Sequence, residues 1–169
     1  MNRRFFLSSS LALGAVAAFN NSPFASTASA AMQKSAAPFK KIVKTNAEWK
    51  RLLTPAQYQV TRQSGTETPY SSPLNKVKAA GTFQCVCCAL PLFSSKTKFE
   101  SNTGWPSFWS PINKRNVRET ADNSAGEPRT EVLCARCDAH LGHVFDDGPE
   151  PTGLRYCMNG VALKFARGA

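Results

Sequence analysis

Four of the six cysteines occur as two Cys-x-x-Cys pairs, a spacing that suits a bound metal ion. The pairs are Cys85 with Cys88 and Cys134 with Cys137. Two such pairs place four thiolates around one tetrahedral ion, which is the usual arrangement of structural zinc. Because residues 89–133 separate the pairs, one zinc per chain would clip together two distant segments of one domain.

Disulfide bonds are the alternative for these four cysteines, because an exported protein meets an oxidising compartment. A Cys-x-x-Cys disulfide is usually redox-active, however, and two redox pairs in one small domain would be unusual. The spacing therefore favours metal over disulfides without excluding them.

Cys157 stands outside both pairs and is the candidate nucleophile. If its segment is a strand, Arg155 and Asn159 share its face, because side chains alternate with period two. A nearby cation lowers the pKa of a thiol and makes it nucleophilic, and Asn159 can donate a hydrogen bond. An isolated cysteine is more often buried and inert, so the catalytic interpretation depends on these neighbours.

The two histidines of the chain, His140 and His143, lie close together in His-Leu-Gly-His. They are the only imidazoles that can serve Cys157, and two carboxylates, Asp146 and Asp147, follow just beyond them. A thiol accompanied by a cation, imidazoles and an amide indicates a thiolate enzyme.

Residues 1–30 have the composition of an export signal. They contain no acidic residue, and Arg3-Arg4 precede an apolar stretch over residues 5–19. Ala28-Ser29-Ala30 then offers the small residues at which a signal peptidase cuts. The paired arginines resemble a twin-arginine signal, so we expect a periplasmic or exported protein. Ordinary secretion or an uncleaved anchor is the alternative. Twin-arginine export also favours a metal site, since that route generally carries proteins that fold with their cofactors.

The rest of the chain predicts a leader followed by one mainly β domain. Residues 31–44 show no hydrophobic period and are expected to form a flexible leader, and residues 45–169 are expected to form the catalytic domain. Two short helices should open this domain, the first capped by Thr45 or Asn46 and the second by Thr54. Beyond these helices, short apolar runs separated by Gly, Pro, Asn and Asp are typical of antiparallel strands with irregular loops.

Four ordered motifs lie in this domain: Gly104-Trp105-Pro106-Ser107-Phe108, the run from Cys134 through His140 and His143 to Phe145, Asp147-Gly148-Pro149, and Arg155-Tyr156-Cys157-x-Asn159. Together they resemble the B-type peptide methionine sulfoxide reductases, also called methionine-R-sulfoxide reductases. The resemblance extends over about residues 47–165, so it covers nearly all of the chain that follows the leader.

This resemblance implies a fold of two small antiparallel sheets with short N-terminal helices and a zinc clip. It implies that the enzyme reduces the R epimer of methionine sulfoxide in proteins or peptides through a cysteine sulfenic acid, and so repairs oxidised proteins. The implied partners are those oxidised proteins and a thiol reductant such as a thioredoxin-like protein. We expect a monomer that binds no nucleic acid and, after signal cleavage, no membrane.

The resemblance also implies a role for each candidate residue. Cys157 would attack the sulfoxide sulfur, and Trp105 would give its indole face to the substrate methyl group. Five polar side chains would surround them: His140, His143 and Asp147 as a proton-donating network, and Arg155 and Asn159 to tune the thiol. An acid is needed because a sulfoxide oxygen leaves poorly unless it is protonated. The alternatives are that the tryptophan packs in the core and that the histidines are structural.

Thr103 departs from the family pattern, in which many members have a second, resolving cysteine two residues before the tryptophan. Because a hydroxyl cannot form a disulfide, we expect the Cys157 sulfenic acid to be reduced directly by an outside thiol. A disulfide with Cys87 is the alternative. Cys87 lies between two metal ligands, however, and these restrict its travel toward Cys157.

The basic composition leaves two other functions to weigh. The formal net charge of +10 suits a solvated basic face, because no run of Lys and Arg exceeds two residues. It also suits a zinc-ribbon module that binds nucleic acid, but the export signal argues against that partner. A thiol–disulfide exchanger would need a second redox cysteine near Cys157, and the sequence offers none nearby.

Overall fold

Two short helices open the domain in the computed structural model, which describes residues 39–168. Helix α1 spans Asn46–Leu52 and helix α2 spans Pro55–Gln63. Each begins with a capping box, in which a threonine and the residue three positions later bond each other's backbone N–H: Thr45 with Glu48, and Thr54 with Gln57. The predicted helices and the threonine caps are therefore confirmed. Within residues 39–168, neither helix has the length and apolar character that crossing a membrane requires.

The predicted signal peptide, residues 1–30, lies outside the described residues, and the predicted leader is described only from residue 39. From residue 39 onward the chain contacts the domain. The N–H of Ile42 donates to the carbonyl of Arg136 at 2.8 Å, and Lys41 bonds Asp138 at 2.7 Å. Phe39 and Ile42 also pack against the core. Residues 39–44 therefore contact the domain through two apolar side chains, while the flexible leader over residues 31–44 stays a prediction.

The described residues form nine strands in two antiparallel sheets, which confirms the predicted fold class. The smaller sheet has the order β2-β1-β9, with β1 at Gly81–Cys85, β2 at Pro91–Ser94 and β9 at Leu163–Arg167. The larger sheet has the order β3-β4-β8-β7-β6-β5, with β3 at Lys98–Phe99, β4 at Ser107–Phe108, β5 at Val117–Asp122, β6 at Arg129–Cys134, β7 at His140–Phe145 and β8 at Arg155–Met158.

An aromatic cluster joins the two sheets. Phe83 and Phe93 of the smaller sheet meet Phe108 of the larger one, with ring centroids 4.9 Å and 4.5 Å away, and Tyr156 lies 5.7 Å from Phe93. All four side chains are buried. Because successive side chains of a strand point to opposite faces, burying Tyr156 in this cluster leaves Cys157 on the other face of β8.

Candidate functional site

The four paired cysteines converge on one point, as their spacing predicts. Their Sγ atoms all lie within 4.8 Å of one another, with Cys85 3.7 Å from Cys137 and Cys88 3.6 Å from Cys134. A tetrahedral zinc with sulfur ligands at about 2.3 Å needs sulfur atoms about 3.8 Å apart, whereas a disulfide needs about 2.05 Å. All six cysteines are free thiols in the structure. The cluster can therefore bind a metal and is consistent with structural zinc, as predicted.

Both cysteine pairs are held by the same backbone turn. In each, the first cysteine ends a strand and its carbonyl accepts the N–H of a residue with positive φ four positions later: Ala89 on Cys85 at 2.8 Å, and Asp138 on Cys134 at 2.9 Å. The first turn follows β1 of the smaller sheet and the second follows β6 of the larger one. A bound ion would therefore tie the two sheets together, which is the long-range clip that the spacing predicts.

Cys157 lies in β8, between Ser107 on β4 and His143 on β7 in the strand register. Its thiol is only partly exposed, and burial raises its pKa above the ordinary value. Thr103, whose Oγ1 lies 3.7 Å from Sγ, opposes that rise in pKa, as does the positive charge of Arg155. A mostly buried thiol thus has a hydroxyl and a cation that favour its ionised form.

Arg155 is fixed beside the thiol by Asp147. The carboxylate of Asp147 accepts from Nε and from Nη2 of Arg155, each at 2.8 Å, and the guanidinium lies 4.4 Å from the Phe145 ring centroid. The Asp147 side chain is 60% exposed, and none of its described hydrogen bonds reaches a histidine. The structure therefore places Asp147 on the arginine and not in the histidine network that the resemblance implies.

A bulge brings both histidines to one face of the sheet. Residues three apart point to opposite faces of a regular strand, yet the rings of His140 and His143 are 5.4 Å apart. The register explains this result, because Val132 pairs with Gly142 while the next residue, Leu133, pairs with His140. Gly142 permits the bulge: its φ is 154°, and an added Cβ there would collide with the backbone of β8 at Cys157.

Each histidine bonds a carboxylate from another strand of the larger sheet, His140 from the adjacent β6 and His143 from β5 beyond it. Nδ1 of His140 lies 2.6 Å from Glu131, and Nε2 of His143 lies 2.7 Å from Asp122. Asp122 also accepts from Arg129 at 2.7 Å. Sequence reasoning missed Glu131 and Asp122, because the antiparallel register and not chain proximity puts them beside the rings. The only signal was the charged alternation along β6, in which Arg129 and Glu131 share one face.

Asn159 holds the loop that carries Glu67. Strand β8 ends at Met158, so the period-two argument that placed Asn159 on the face of Cys157 does not apply to it. Its amide donates to the carbonyl of Leu141 at 3.2 Å, and its Oδ1 accepts from the N–H of Glu67 at 2.9 Å. These contacts give Asn159 a positioning role in the structure.

Trp105 is anchored by the same residue, Glu67, which sequence reasoning also missed. The indole Nε1 of Trp105 donates to the carbonyl of Glu67 at 3.2 Å. The carboxylate of Glu67 accepts from the backbone N–H groups of Gly160 and Val161, just beyond β8. Glu67 therefore ties the indole to the segment that follows Cys157.

Comparison of the sequence with known proteins points to one family. The SelR domain profile matches residues 53–167 of the chain. The chain is 60% identical over 125 residues to the peptide methionine sulfoxide reductase MsrB of Pseudomonas putida (strain W619), an alignment that covers 74% of this chain and 94% of the relative. It is 58% identical over 123 residues to the protein of that name from Pseudomonas savastanoi pv. phaseolicola, covering 73% and 94%. With that of Hahella chejuensis it shares 53% identity over 125 residues, covering 74% and 90%.

Proposed function

The chain belongs to the SelR domain family of MsrB-type peptide methionine sulfoxide reductases, and from this membership we propose that Cys157 is its nucleophile. The enzyme reduces the R epimer of methionine sulfoxide in oxidised proteins to methionine and uses a thiol reductant. The observation that carries the assignment of Cys157 is its register. It lies directly across from His143, with Arg155 on its own strand and Thr103 at its sulfur.

The first step transfers the oxygen to Cys157. Its thiolate attacks the sulfoxide, a proton reaches the departing oxygen, and the products are methionine and a sulfenic acid on Cys157. His140 and His143 supply that proton, because a poor leaving oxygen must be protonated as its bond to sulfur breaks. The indole of Trp105, just before β4, provides the flat apolar face against which a substrate methyl group packs.

Alanine in place of His143 or His140 is expected to lower the rate of the first turnover. The loss should be roughly 10²–10⁴-fold, the usual contribution of a positioned general acid. The measurement is single-turnover reduction of a methionine-R-sulfoxide peptide, with circular dichroism and zinc content showing that the fold is intact. Rates within about twofold of the parent in both variants would contradict an acid role for the histidines.

Recycling proceeds by direct attack of an outside thiol on the sulfenic acid, because Thr103 occupies the position facing the sulfur. A single turnover with excess sulfoxide and no reductant should consume one thiol and leave a sulfenic acid that dimedone traps. The variant Thr103→Cys is the matched positive control. Its sulfur would replace an oxygen that lies 3.7 Å from Sγ, so it should form a disulfide with Cys157 and give no dimedone adduct.

The result that contradicts direct reduction is a Cys87–Cys157 disulfide in the parent protein. In that case Cys87→Ser should slow recycling while it spares the first turnover. The structure supports the expected outcome, because Cys87 lies in the turn of the metal cluster after β1, and none of the described hydrogen bonds links it to Cys157.

The proposed enzyme is a monomer that is exported to the periplasm through the twin-arginine route. In that compartment a thioredoxin-like protein reduces it. The support is the composition of residues 1–30, with Arg3-Arg4 before the apolar stretch. Replacing Arg3-Arg4 with two lysines should keep the protein in the cytoplasm, as cell fractionation would show. Unchanged export of that variant would contradict the route, and a dimer mass in light scattering would contradict the monomer.

A further inference from the structure

The two histidines bind their carboxylates through different ring nitrogens. We propose that Glu131 and Asp122 are positioning residues that fix opposite tautomers of the neutral rings, so that Nε2 of His140 and Nδ1 of His143 are the nitrogens that take up a second proton and donate it to the sulfoxide oxygen. This inference rests on the proposed function only in naming the sulfoxide as the group that the histidines meet.

The hydrogen-bond geometry assigns one proton to each ring. An ionised carboxylate has no hydrogen to donate, so the nitrogen that it contacts must carry the proton. Glu131 contacts Nδ1 of His140 at 2.6 Å, and Asp122 contacts Nε2 of His143 at 2.7 Å. A hydrogen bond from Ser124 and the contact with His143 hold the pKa of Asp122 below its usual range, which keeps this carboxylate ionised.

The opposite nitrogens are left for the substrate. Nε2 of His140 is buried, on a side chain that is 4% exposed, and it has no hydrogen-bond partner among residues 39–168. Nδ1 of His143 likewise makes none of the hydrogen bonds found in that part of the chain. Because a buried ring nitrogen without a partner is costly, the orphaned Nε2 of His140 points to a group that completes it, and once protonated this nitrogen can donate to the sulfoxide oxygen.

The two histidine–carboxylate pairs differ in the number of partners that each carboxylate has. Asp122 is shared between His143 and Arg129, whereas Glu131 has His140 as its partner. The rings stand 5.4 Å apart at an angle of 65°. A sulfoxide oxygen that approaches the strand opposite Cys157 would therefore meet two separately fixed nitrogens. In the other tautomer of either ring a bare nitrogen would face the carboxylate, so two acceptors would oppose each other and the hydrogen bond that positions the ring would be lost.

Nitrogen NMR tests the tautomers without reference to activity. The chain has two histidines, so untagged protein labelled with ¹⁵N-histidine gives signals from only two imidazoles. At a pH where both rings are neutral, His140 should show a protonated Nδ1 and a bare Nε2, and His143 the reverse. The variant His143→Gln assigns the pair by removing one ring. Two rings of the same tautomer, or two freely exchanging rings, would overturn the inference.

Isosteric variants then test the positioning role. Glu131→Gln should disturb the tautomer of His140 alone and Asp122→Asn that of His143 alone, and each should slow the first turnover by roughly 10- to 10²-fold, part of the contribution of a positioned acid. Glu127→Gln is the matched control, since Glu127 is exposed in the loop between the two carboxylate strands. Unchanged tautomers and rates in both variants would overturn the positioning role. If the alanine variants of the histidines are inactive but the parent rings show no fixed tautomer, this inference alone is rejected. If the parent tautomers are fixed but the alanine variants remain fully active, the acid role of the histidines is rejected.

Discussion

Serine in place of Cys157 is expected to reduce the rate of sulfoxide reduction to the level without enzyme. The hydroxyl of serine is far less acidic than a thiol, and its oxygen cannot accept the sulfoxide oxygen as a sulfenic acid does. No other cysteine lies across from a histidine in the strand register of the described residues. The measurement is turnover of a methionine-R-sulfoxide peptide with dithiothreitol as reductant.

The matched control for this prediction is Cys87→Ser. Cys87 is the other cysteine outside the four-sulfur cluster, so its loss also removes one free thiol. With dithiothreitol as reductant, Cys87→Ser should keep the parent rate of turnover. Substantial activity in Cys157→Ser, with the fold and zinc content intact, would show that the nucleophile lies elsewhere.

Serine in place of Cys134 is expected to release zinc and unfold the domain. Structural zinc contributes about 10–16 kcal/mol on binding to small metal-dependent folds, which is comparable to the about 5–15 kcal/mol net stability of a typical domain. The ion would tie the turn after β1 to the turn after β6, so its loss frees two segments in different sheets. Metal analysis and thermal unfolding measure the two effects.

Cys87 again supplies the control, because it lies within the first cysteine turn but outside the set of ligands. Cys87→Ser should keep one zinc per chain and unfold close to the parent temperature. Well under one equivalent of zinc in the parent protein, with disulfides mapped at the paired cysteines, would contradict the metal assignment. A stable, fully folded Cys134→Ser variant would contradict the structural role of the ion.

The elements that were predictable from the sequence depend on local chemistry. A capping box needs only a threonine and a partner three residues later, so Thr45 and Thr54 marked both helices. The metal cluster was predictable because thiolates at Cys-x-x-Cys spacing have few other uses in this pattern. Thr103 was marked by the family resemblance, as the residue at the position of the resolving cysteine, and the structure places its hydroxyl 3.7 Å from the Cys157 sulfur.

The contacts that the sequence did not reveal depend on strand register. Glu131 reaches His140, and Asp122 reaches His143, across strands whose alignment no local pattern specifies. No local sequence pattern predicts the bulge opposite Val132 either, although without it the two histidines would face opposite sides of the sheet. Asp147 shows the converse, because closeness in the chain to the histidines did not bring it to either of them.

The most direct test of the central claim is the fate of the two epimers of methionine sulfoxide. Separated R and S epimers of a dabsylated methionine sulfoxide are incubated with the zinc-loaded enzyme and dithiothreitol, and methionine is quantified by chromatography. We predict conversion of the R epimer while the S epimer remains, and loss of that conversion in Cys157→Ser. Consumption of the S epimer as fast as the R epimer, or conversion of neither, would contradict the function assigned to this site.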